Sequence, residues 1–362
     1  MRVLFVTRKF PPSVGGMQRL SYHLITQMKR RAEVGAVTWG RSQRLLPFFL
    51  PYALGKSICI GMRGIDLAHI GDPVLAPIGW LVRKLFGVPI VVTVHGLDIT
   101  FPVRPYQWLI PGLLREFDRL VCISRSTRDA CVARNIPAGK CAIIPPGVAL
   151  PPVLPHGTAR EWLGQELGQE LQDTWVLLTV GRLVPRKGVA WFVASVLPRV
   201  LGAGTKVHYL VVGGGPEEER VRVVMGHHDV EGKVHILGQV SNDDLERIYA
   251  AADLFIMPNL PTAGDMEGFG LVALEAAAHG LPVLAADLEG IQDAVVPGRT
   301  GHLLRPGDAD LWTRRVLDLL NHPSHLHELA RLARATVEER FTWTHMVDAY
   351  EALFLELLGD VY

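Results

Sequence analysis

Residues 175–188 have the sequence WVLLTVGRLVPRKG, and the pattern of this stretch indicates the fold class. The apolar run Trp175–Val180 predicts a buried strand, and Gly181 and Gly188 bound a short basic loop. The residues that follow predict a helix over Val189–Leu201. A buried strand, a tight loop and a helix in this order form the repeating unit of a parallel α/β sheet.

The same alternation extends through both halves of the chain, which predicts two Rossmann-like domains whose parallel sheets face each other across a cleft. A proline- and glycine-rich change of composition between Leu150 and Gln172 indicates the hinge, with Thr158 as the cap of a helix from Ala159. We therefore expect domains at 1–155 and 156–342, and a last helix within 343–362 that packs back towards the first domain. Further strands are predicted at Val3–Thr7, Val34–Thr38, Leu67–Ile70, Ile90–Val94, Arg119–Ile123, Ala142–Ile144, Lys206–Val212, Val234–Leu237, Asp253–Met257 and Pro282–Ala286.

Composition predicts a soluble, folded chain, because 49% of the 362 residues are apolar and 20% are charged. The apolar stretch Leu45–Gly55 contains two prolines and is too short for a membrane span of about 20 residues. Four cysteines lie far apart in the sequence without a C-x-x-C pair. Their spacing disfavours a zinc site or a disulfide scaffold and indicates a reducing cytoplasm. They are Cys59, Cys122, Cys131 and Cys141.

Charge is unevenly distributed. Residues 1–150 hold 20 basic against 7 acidic side chains, a net +13, whereas residues 151–362 hold 17 against 29, a net −12. A basic half predicts an anionic partner, although two complementary halves that pack together would give the same numbers. Arg41, Arg44 and Lys56 flank an apolar segment, and Arg83-Lys84 lie in another, so an acidic membrane surface is one candidate; buried helices are the alternative. The basic residues form no recognised nucleic-acid motif, which disfavours that partner.

Three glycine-rich or basic loops follow predicted strands, where α/β proteins bind anions. Gly15-Gly16 follows the first strand, and a plain structural turn explains such a pair equally well. Arg182 and Lys187 lie in the loop quoted above, where both can face one pair of phosphates. The run Gly213-Gly214-Gly215 is not a dinucleotide fingerprint, because Glu218 stands where G-x-G-x-x-G needs its last glycine.

Two glutamates give the strongest signal. Glu267 precedes a Gly-Phe-Gly turn, and Glu275 lies inside the helix predicted to start near Gly270. Both carboxylates can accept hydrogen bonds from sugar or ribose hydroxyls, and the backbone N–H groups of Gly270–Val272 can meet a diphosphate. His95 follows the strand Ile90–Val94 and is expected to point into the cleft, although a buried structural histidine is an equal alternative.

Together these motifs resemble the retaining, nucleotide-sugar-dependent glycosyltransferases of family four, which have the GT-B fold. The resemblance extends along nearly the whole chain and is more specific in the second half. It rests on Gly15-Gly16 with Arg19, His95-Gly96, Val121–Ser124, Gly181–Leu183, Lys187-Gly188, Gly238–Val240, the Glu267/Glu275 pair and Gly290 through Gly301.

The resemblance implies catalytic roles for His95, Glu267, Arg182 and Lys187. Arg182 and Lys187 would bind the donor diphosphate, Glu267 the transferred sugar and Glu275 the ribose, while His95 would touch the sugar near its reacting end. The family needs no metal and no cofactor; its co-substrate here would be a GDP- or UDP-linked hexose. The donor-binding residues carried over are Gly15, Gly16, Arg182, Lys187, Val240 (at the base), Glu267, Phe269, Gly270, Leu271, Val272 and Glu275.

The acceptor is less well defined. The segment Gly264–Gly270 looks like the corresponding loop of enzymes that mannosylate phosphatidylinositol glycolipids, which implies a lipid or polysaccharide precursor and a peripheral site on the cytoplasmic side of the membrane. Glu289–Asp293 departs from the Gly-Gly-x-Pro-Glu run common in the family. Asp308-Ala309-Asp310 has the letters of a metal motif, but we interpret it as a helix start. The alternative function is a non-catalytic protein on the same fold that binds a nucleotide sugar or an anionic lipid.

Overall fold

The computed structural model describes residues 1–41 and 43–359, and the chain divides into two compact units. The first contains Met1–Gly147, the short segment Met266–Phe269 and the residues from Phe341 onward. The second contains Val148–Asp265 and Gly270–Arg340. The division after Gly147 lies just before the stretch in which the sequence predicts a hinge.

The first unit is a parallel sheet of six strands in the order β2-β1-β3-β4-β5-β6. β3 and β4 are buried along their whole length, as expected for central strands that are covered by helices on both faces. The strands are β1 (Arg2–Thr7), β2 (Glu33–Thr38), β3 (Leu67–Ile70), β4 (Ile90–Val94), β5 (Arg119–Cys122) and β6 (Cys141–Ile143). The helices are α1 (Gly16–Met28), α2 (Leu46–Gly61), α3 (Ala76–Phe86), α4 (Leu97–Thr100), α5 (Arg104–Glu116) and α6 (Arg125–Val132).

The second unit repeats this plan with the strand order β12-β11-β10-β7-β8-β9, again all parallel. Its strands are β7 (Trp175–Val180), β8 (Val207–Val212), β9 (Val234–Gly238), β10 (Leu254–Met257), β11 (Val283–Ala286) and β12 (Gly301–Leu304). Its helices are α7 (His156–Leu167), α8 (Val189–Ser195), α9 (Leu197–Gly202), α10 (Glu218–His227), α11 (Asn242–Ala251), α12 (Leu271–Ala278), α13 (Ile291–Ala294), α14 (Ala309–Asn321) and α15 (Pro323–Arg340).

The last helix, α16 (Trp343–Gly359), belongs to the first unit and packs on α1. Its Tyr350 is fully buried, and the hydroxyl lies 2.7 Å from Thr93 Oγ1 on β4. Thr93 Oγ1 in turn lies 2.8 Å from the ring Nε2 of His69 on β3. A buried polar chain of this kind is stable because each member has a partner.

Two local predictions are corrected, and two elements were missed. The helix expected over Val189–Leu201 is two helices that break at Val196, because Pro198 cannot donate the backbone hydrogen bond that would continue the first one. Thr158 is not a cap, since α7 already begins at His156, after Pro155. β12 and α15 were not predicted. Asp308 does start a helix: its side chain accepts from the backbone N–H of Leu311, at the beginning of α14.

No helix in residues 1–41 and 43–359 is long and apolar enough to cross a membrane.

Candidate functional site

The loops that follow β7, β8 and β9 are joined by backbone hydrogen bonds at the carboxyl edge of the second sheet. The N–H of Leu183 donates to the carbonyl of Gly214 at 3.0 Å, and the N–H of Gly213 donates to the carbonyl of Gly238 at 2.7 Å. Parallel α/β sheets bind ligands at this edge. The structure therefore brings the Arg182/Lys187 loop, the Gly213–Gly215 run and the end of β9 together in one place.

Close backbone approach explains the glycines at 213 and 215. A Cβ on Gly213 would lie 2.1 Å from the carbonyl oxygen of Gly181, and one on Gly215 would lie 2.3 Å from that of Leu183. Both glycines also have positive φ angles, of 117° and 159°. Only glycine fits such positions, so this run serves to pack two loops against each other.

Arg182 and Lys187 occupy different environments in the same loop. The Arg182 side chain is exposed, whereas Lys187 is only 8% exposed. The Lys187 side chain extends back towards the end of β7. Its Nζ lies 3.9 Å from the point where a Cβ on Gly181 would be. A buried ammonium group at the end of a strand is suited to a phosphate.

Arg186, which the sequence analysis passed over, anchors a second loop. It is 7% exposed, and its Nε donates to Asp265 Oδ1 at 2.9 Å. Its carbonyl also accepts from the N–H of Leu260 at 2.9 Å. Asp265 is the residue before Met266–Phe269, so this ion pair holds the start of the loop that carries Glu267.

Gly270 begins the helix of the glutamate motif in a left-handed conformation with φ of 89°, and α12 follows from Leu271. Phe269 is buried, and Leu271 and Val272 are half-buried. Within the described residues no side chain caps this helix, and the first N–H groups of a helix have no partner inside it. They are suited to a diphosphate oxygen.

The side chain of Glu275, in α12, is held by a hydrogen bond from a residue of α11. The Tyr249 hydroxyl donates to Glu275 Oε2 at 3.5 Å, a long hydrogen bond. Tyr249 also stacks on His279, with ring centroids 4.5 Å apart, and His279 Nε2 lies 2.6 Å from Glu246 Oε2. Tyr249 is a second residue that the sequence analysis missed, because nothing near position 249 in the sequence indicates its contact with Glu275.

Val240 is half-buried between the end of β9 and the start of α11. The Ser241 hydroxyl caps α11 by accepting from the N–H of Asp244 at 3.1 Å. This cap defines where the backbone turns at Val240, the segment predicted to meet the nucleobase.

In the first unit, α1 begins at Gly16, directly after Gly15. Gly15 has φ of 153°, and a Cβ there would lie 2.6 Å from Gln18 Oε1. The pair therefore forms a tight entry into a helix at the carboxyl edge of the first sheet, and the described residues provide no side-chain cap for that helix.

His95 lies at the same edge, directly after β4. Its backbone N–H donates to both carboxylate oxygens of Asp98 at 3.0 Å, and its ring Nε2 lies 3.0 Å from the carbonyl oxygen of Gly71. Because a carbonyl only accepts, Nε2 is the protonated nitrogen. Burial raises the pKa of Asp98.

The segment Met266–Phe269 groups with the first unit through contacts with His95 and Gly96. A Cβ on Gly268 would lie 2.3 Å from the carbonyl oxygen of His95, and one on Gly96 would lie 3.2 Å from Gly268 Cα. The structure therefore places the backbone next to Glu267 beside the predicted histidine.

A cluster of charged side chains that the sequence does not predict adjoins His95. Asp72 is fully buried, and its Oδ1 accepts from Arg8 Nε and from the N–H of Val74, both at 3.0 Å. Within the described residues, its Oδ2 has no hydrogen-bond partner. Burial, then the nearby Arg8, lowers the pKa of Lys9. The three residues Arg8, Lys9 and Asp72 follow β1 and β3 at the carboxyl edge.

The described residues contain no group of three or more His, Cys, Asp or Glu side chains arranged to hold a metal ion. That transfer is independent of metal stays a prediction.

Two family models match the chain. "Glycosyltransferase Family 4" matches residues 14–150, and "Glycosyl transferases group 1" matches residues 174–322. Together they span most of both units, including every predicted site residue.

Curated relatives align over nearly the whole chain. The GDP-mannose-dependent α-(1-6)-phosphatidylinositol monomannoside mannosyltransferase of Mycolicibacterium smegmatis is 28% identical over 94% of this chain and 95% of its own. The α-maltose-1-phosphate synthase of the same organism is 25% identical over 96% and 97%.

Solved structures share the fold. HepE of Anabaena, in complex with UDP, has a TM-score of 0.80 and 20% identity, with 98% of this chain and 100% of that chain covered. Sucrose-phosphate synthase of Thermosynechococcus elongatus has a TM-score of 0.78 and 22% identity, with 99% of both chains covered. At these identities the likeness shows the fold alone.

Proposed function

Since this chain belongs to glycosyltransferase family 4 and has the GT-B fold, we propose that it transfers a hexose from a nucleoside-diphosphate sugar to an acceptor hydroxyl with retention of configuration. The single observation that carries this proposal is the set of loops at the carboxyl edge of the second sheet. There Lys187 reaches the end of β7 and the open start of α12 supplies backbone N–H groups.

The basic side chains act on the leaving group. As the glycosidic bond to the diphosphate breaks, negative charge grows on the phosphate oxygens, and Lys187 and Arg182 stabilise it. A buried cation such as Lys187 is more effective here than one in bulk water. These two residues therefore supply the charge that a metal ion supplies in other transferases, and the proposed reaction needs none.

The glutamates hold the donor by its hydroxyls. Glu275, oriented by Tyr249, accepts from the ribose, and Glu267 accepts from the transferred sugar. His95 acts at the reacting end of the sugar. Its N–H groups are engaged with Asp98 and Gly71, which keeps its position defined before the donor binds.

GDP-mannose is the donor we propose first, because relatives from three actinobacterial species carry GDP-mannose dependence in their names. UDP-sugars are the second choice, since HepE was solved with UDP. The proposed acceptor is a phosphatidylinositol-type glycolipid, as those relatives' names state for them.

A lipid acceptor requires access to a membrane, and we propose that α2 provides it from the cytoplasmic side. Phe48 is 72% exposed and Tyr52 50%, while Phe49 on the same helix is fully buried. Exposed apolar side chains among basic residues are typical of interfacial binding. The sequence predicts the same role for α3, but Lys84 lies 3.6 Å from Glu116 and Arg83 pairs with Asp118, so the cations of α3 already have partners.

A second exposed apolar group lies at the start of α5 and was not predicted. Trp108 is 83% exposed, Phe101 51% and Leu109 44%, next to the exposed Arg104. α2 packs on α3, and α3 packs on α5. Phe48 lies in the first turn of α2, and Phe101 lies just before α5.

A donor and acceptor screen tests the proposal. The purified protein is incubated with GDP-mannose, UDP-glucose or ADP-glucose and with phosphatidylinositol vesicles, and the glycolipid product is identified by mass spectrometry and its anomeric configuration by NMR. We expect an α-linked product with one donor, and none with Glu267→Ala, which should still fold. Tight donor binding with neither transfer to an acceptor nor slow hydrolysis of the donor would instead indicate the non-catalytic binder.

A further inference from the structure

The single-turn helix α4 is held in place by two side chains of α5. The Tyr106 hydroxyl donates a hydrogen bond to the backbone carbonyl of Asp98 at 2.6 Å. The side-chain amide of Gln107 donates to the carbonyls of Ile99 and Phe101, at 2.9 and 2.8 Å. A helix of one turn cannot satisfy its last carbonyl groups by itself. The position of α4 therefore depends on these donors from the next helix.

Both donors are themselves fixed. The ring of Tyr106 packs edge-on against Phe101, with ring centroids 5.6 Å apart. Burial, then the charge of Asp98, raises the pKa of Tyr106, so the phenol keeps its proton and remains a donor. Arg134 Nε donates to Gln107 Oε1 at 2.7 Å, which leaves the amide nitrogen of Gln107 facing α4.

Asp98 connects α4 to His95. Its carboxylate accepts from the backbone N–H of His95, with 3.0 Å to each oxygen. Gly96 lies between the two residues with φ of 102°, a conformation that favours glycine and lets the chain turn back at this point. The backbone of His95 is therefore held by the same residue whose carbonyl Tyr106 holds.

Two further contacts depend on the position of the His95 backbone. The ring Nε2 donates to the carbonyl of Gly71 at 3.0 Å. The carbonyl of His95 lies so close to Gly268 that a Cβ there would come within 2.3 Å of it, and Gly268 is next to Glu267. A shift of Asp98 would therefore move the ring of His95 and the backbone beside Glu267 together.

We infer that Tyr106 is a positioning residue for His95. Its hydroxyl acts through Asp98 and has no direct contact with the sugar. Without this hydroxyl the carbonyl of Asp98 loses its donor, α4 moves to expose that carbonyl to water, and the carboxylate leaves the N–H of His95. A displacement of about 1 Å at a reacting group can cost on the order of 100-fold in rate. The effect on transfer rests on the proposed function, whereas the effect on the His95 backbone does not.

Tyr106→Phe tests the inference, because it removes the hydroxyl and keeps the ring. We expect kcat to fall roughly tenfold while the KM for the donor changes by less than about twofold, since the nucleotide contacts are untouched. Tyr209→Phe is the matched control. The Tyr209 hydroxyl is buried and lies 2.6 Å from Thr179 Oγ1 in the second unit, so this variant loses a comparable hydrogen bond and should keep its kcat.

Hydrogen–deuterium exchange measures the same contact without an activity assay. We expect the backbone N–H of His95 to exchange roughly tenfold faster in Tyr106→Phe than in the wild-type protein, and at the wild-type rate in Tyr209→Phe. Asp98→Asn keeps the shape of the side chain but weakens the acceptor. Combined with Tyr106→Phe, it should lower kcat by less than the product of the two single effects, because both act through one hydrogen bond to His95.

Several results would overturn the inference. They are an unchanged kcat and unchanged His95 exchange in folded Tyr106→Phe, effects of Tyr106→Phe and Asp98→Asn that multiply fully, and equal losses of kcat in Tyr106→Phe and Tyr209→Phe. If Tyr106→Phe fails to fold, Asp98→Asn carries the test alone, with a lower kcat, an unchanged donor KM and faster exchange expected. A wild-type protein that transfers no sugar, but whose His95 exchange responds to Tyr106→Phe, would contradict the proposed function alone.

Discussion

The carbonyl oxygen of His95 lies so close to Gly268 that a Cβ there would come within 2.3 Å of it. Real side chains do not tolerate that distance, so the position requires glycine or a displaced loop. Two motifs far apart in the sequence thus share one backbone contact. The contact leaves no room for the loop next to Glu267 to move towards His95.

Gly268→Ala should lower kcat/KM at least tenfold, because the added methyl group displaces the Glu267 loop from His95. Steady-state transfer kinetics measure the effect, and circular dichroism checks that the variant folds. Gly232→Ala is the matched control, since a Cβ there meets nothing within 4 Å and its φ is not positive. Unchanged kinetics in a folded Gly268→Ala protein would show that this contact does not position the site.

Arg182→Ala and Lys187→Ala should each weaken nucleoside diphosphate binding by roughly 1.5–3 kcal/mol, the range for hydrogen bonds to charged groups. The larger loss is expected for Lys187, because it is buried while Arg182 is exposed and screened by solvent. Titration calorimetry with GDP and UDP measures both, with the exposed Lys206→Ala as the control. Equal affinities in all variants would remove both residues from the diphosphate site.

Transfer should continue unchanged in excess EDTA. The physical reason is that Lys187 and Arg182 supply the positive charge for the departing diphosphate, and Asp308, which resembles part of a metal motif, is engaged as the cap of α14. Initial rates with and without chelator, each with and without added manganese, make the comparison. A rate that chelator abolishes and manganese restores would contradict the prediction.

The first unit should lose stability in mild acid because of His69. Burial, then the charge of His95, lowers the pKa of His69 to about 3, whereas an unfolded histidine has a pKa of about 6.5. Below about pH 6.5 the unfolded chain binds a proton that the folded chain excludes, so this contribution to stability is full above that pH. It falls by about 1.4 kcal/mol per pH unit between about pH 6.5 and 3.

His69→Gln should therefore reduce the difference between the melting temperatures at pH 7.5 and pH 5.5. His208, whose pKa is lowered to about 4 by burial and by His235, adds a similar slope in the second unit. His208→Gln should for this reason reduce the same difference, and the two effects should add in the double variant. If His69→Gln keeps the whole pH dependence, His69 is not the titrating group.

The strands could be predicted because parallel strands buried on both faces are continuous apolar runs, which are visible locally. β12 was not predicted because His302 interrupts its short apolar segment. α15 was not predicted because charged residues separate its apolar ones. The glutamate motif and the basic loop were equally local signals. Their positions in the chain required no knowledge of the tertiary structure.

Partners across long sequence separations could not be predicted. Arg186 meets Asp265 and Tyr249 meets Glu275 only because segments distant in sequence are neighbours in the fold. Each residue taken alone is an ordinary arginine or tyrosine. The exposure of the apolar group at the start of α5 could not be predicted for a related reason, since it depends on which side chains the rest of the unit leaves uncovered.

The first unit should bind acidic membranes through α2 and α5. In a sedimentation assay with phosphatidylglycerol vesicles, the protein should pellet at low salt and be released as salt rises, because screening weakens the attraction of the basic half. Phe48→Ser with Trp108→Ser should reduce the bound fraction at least tenfold, since full burial of each side chain contributes about 1.5–3 kcal/mol. Met62→Ser is the control: Met62 is 77% exposed but lies at the opposite end of α2. Equal binding to neutral vesicles, or no binding to acidic ones, would favour a soluble acceptor. An enzyme that glycosylates a lipid headgroup must first bind the membrane surface that contains the lipid.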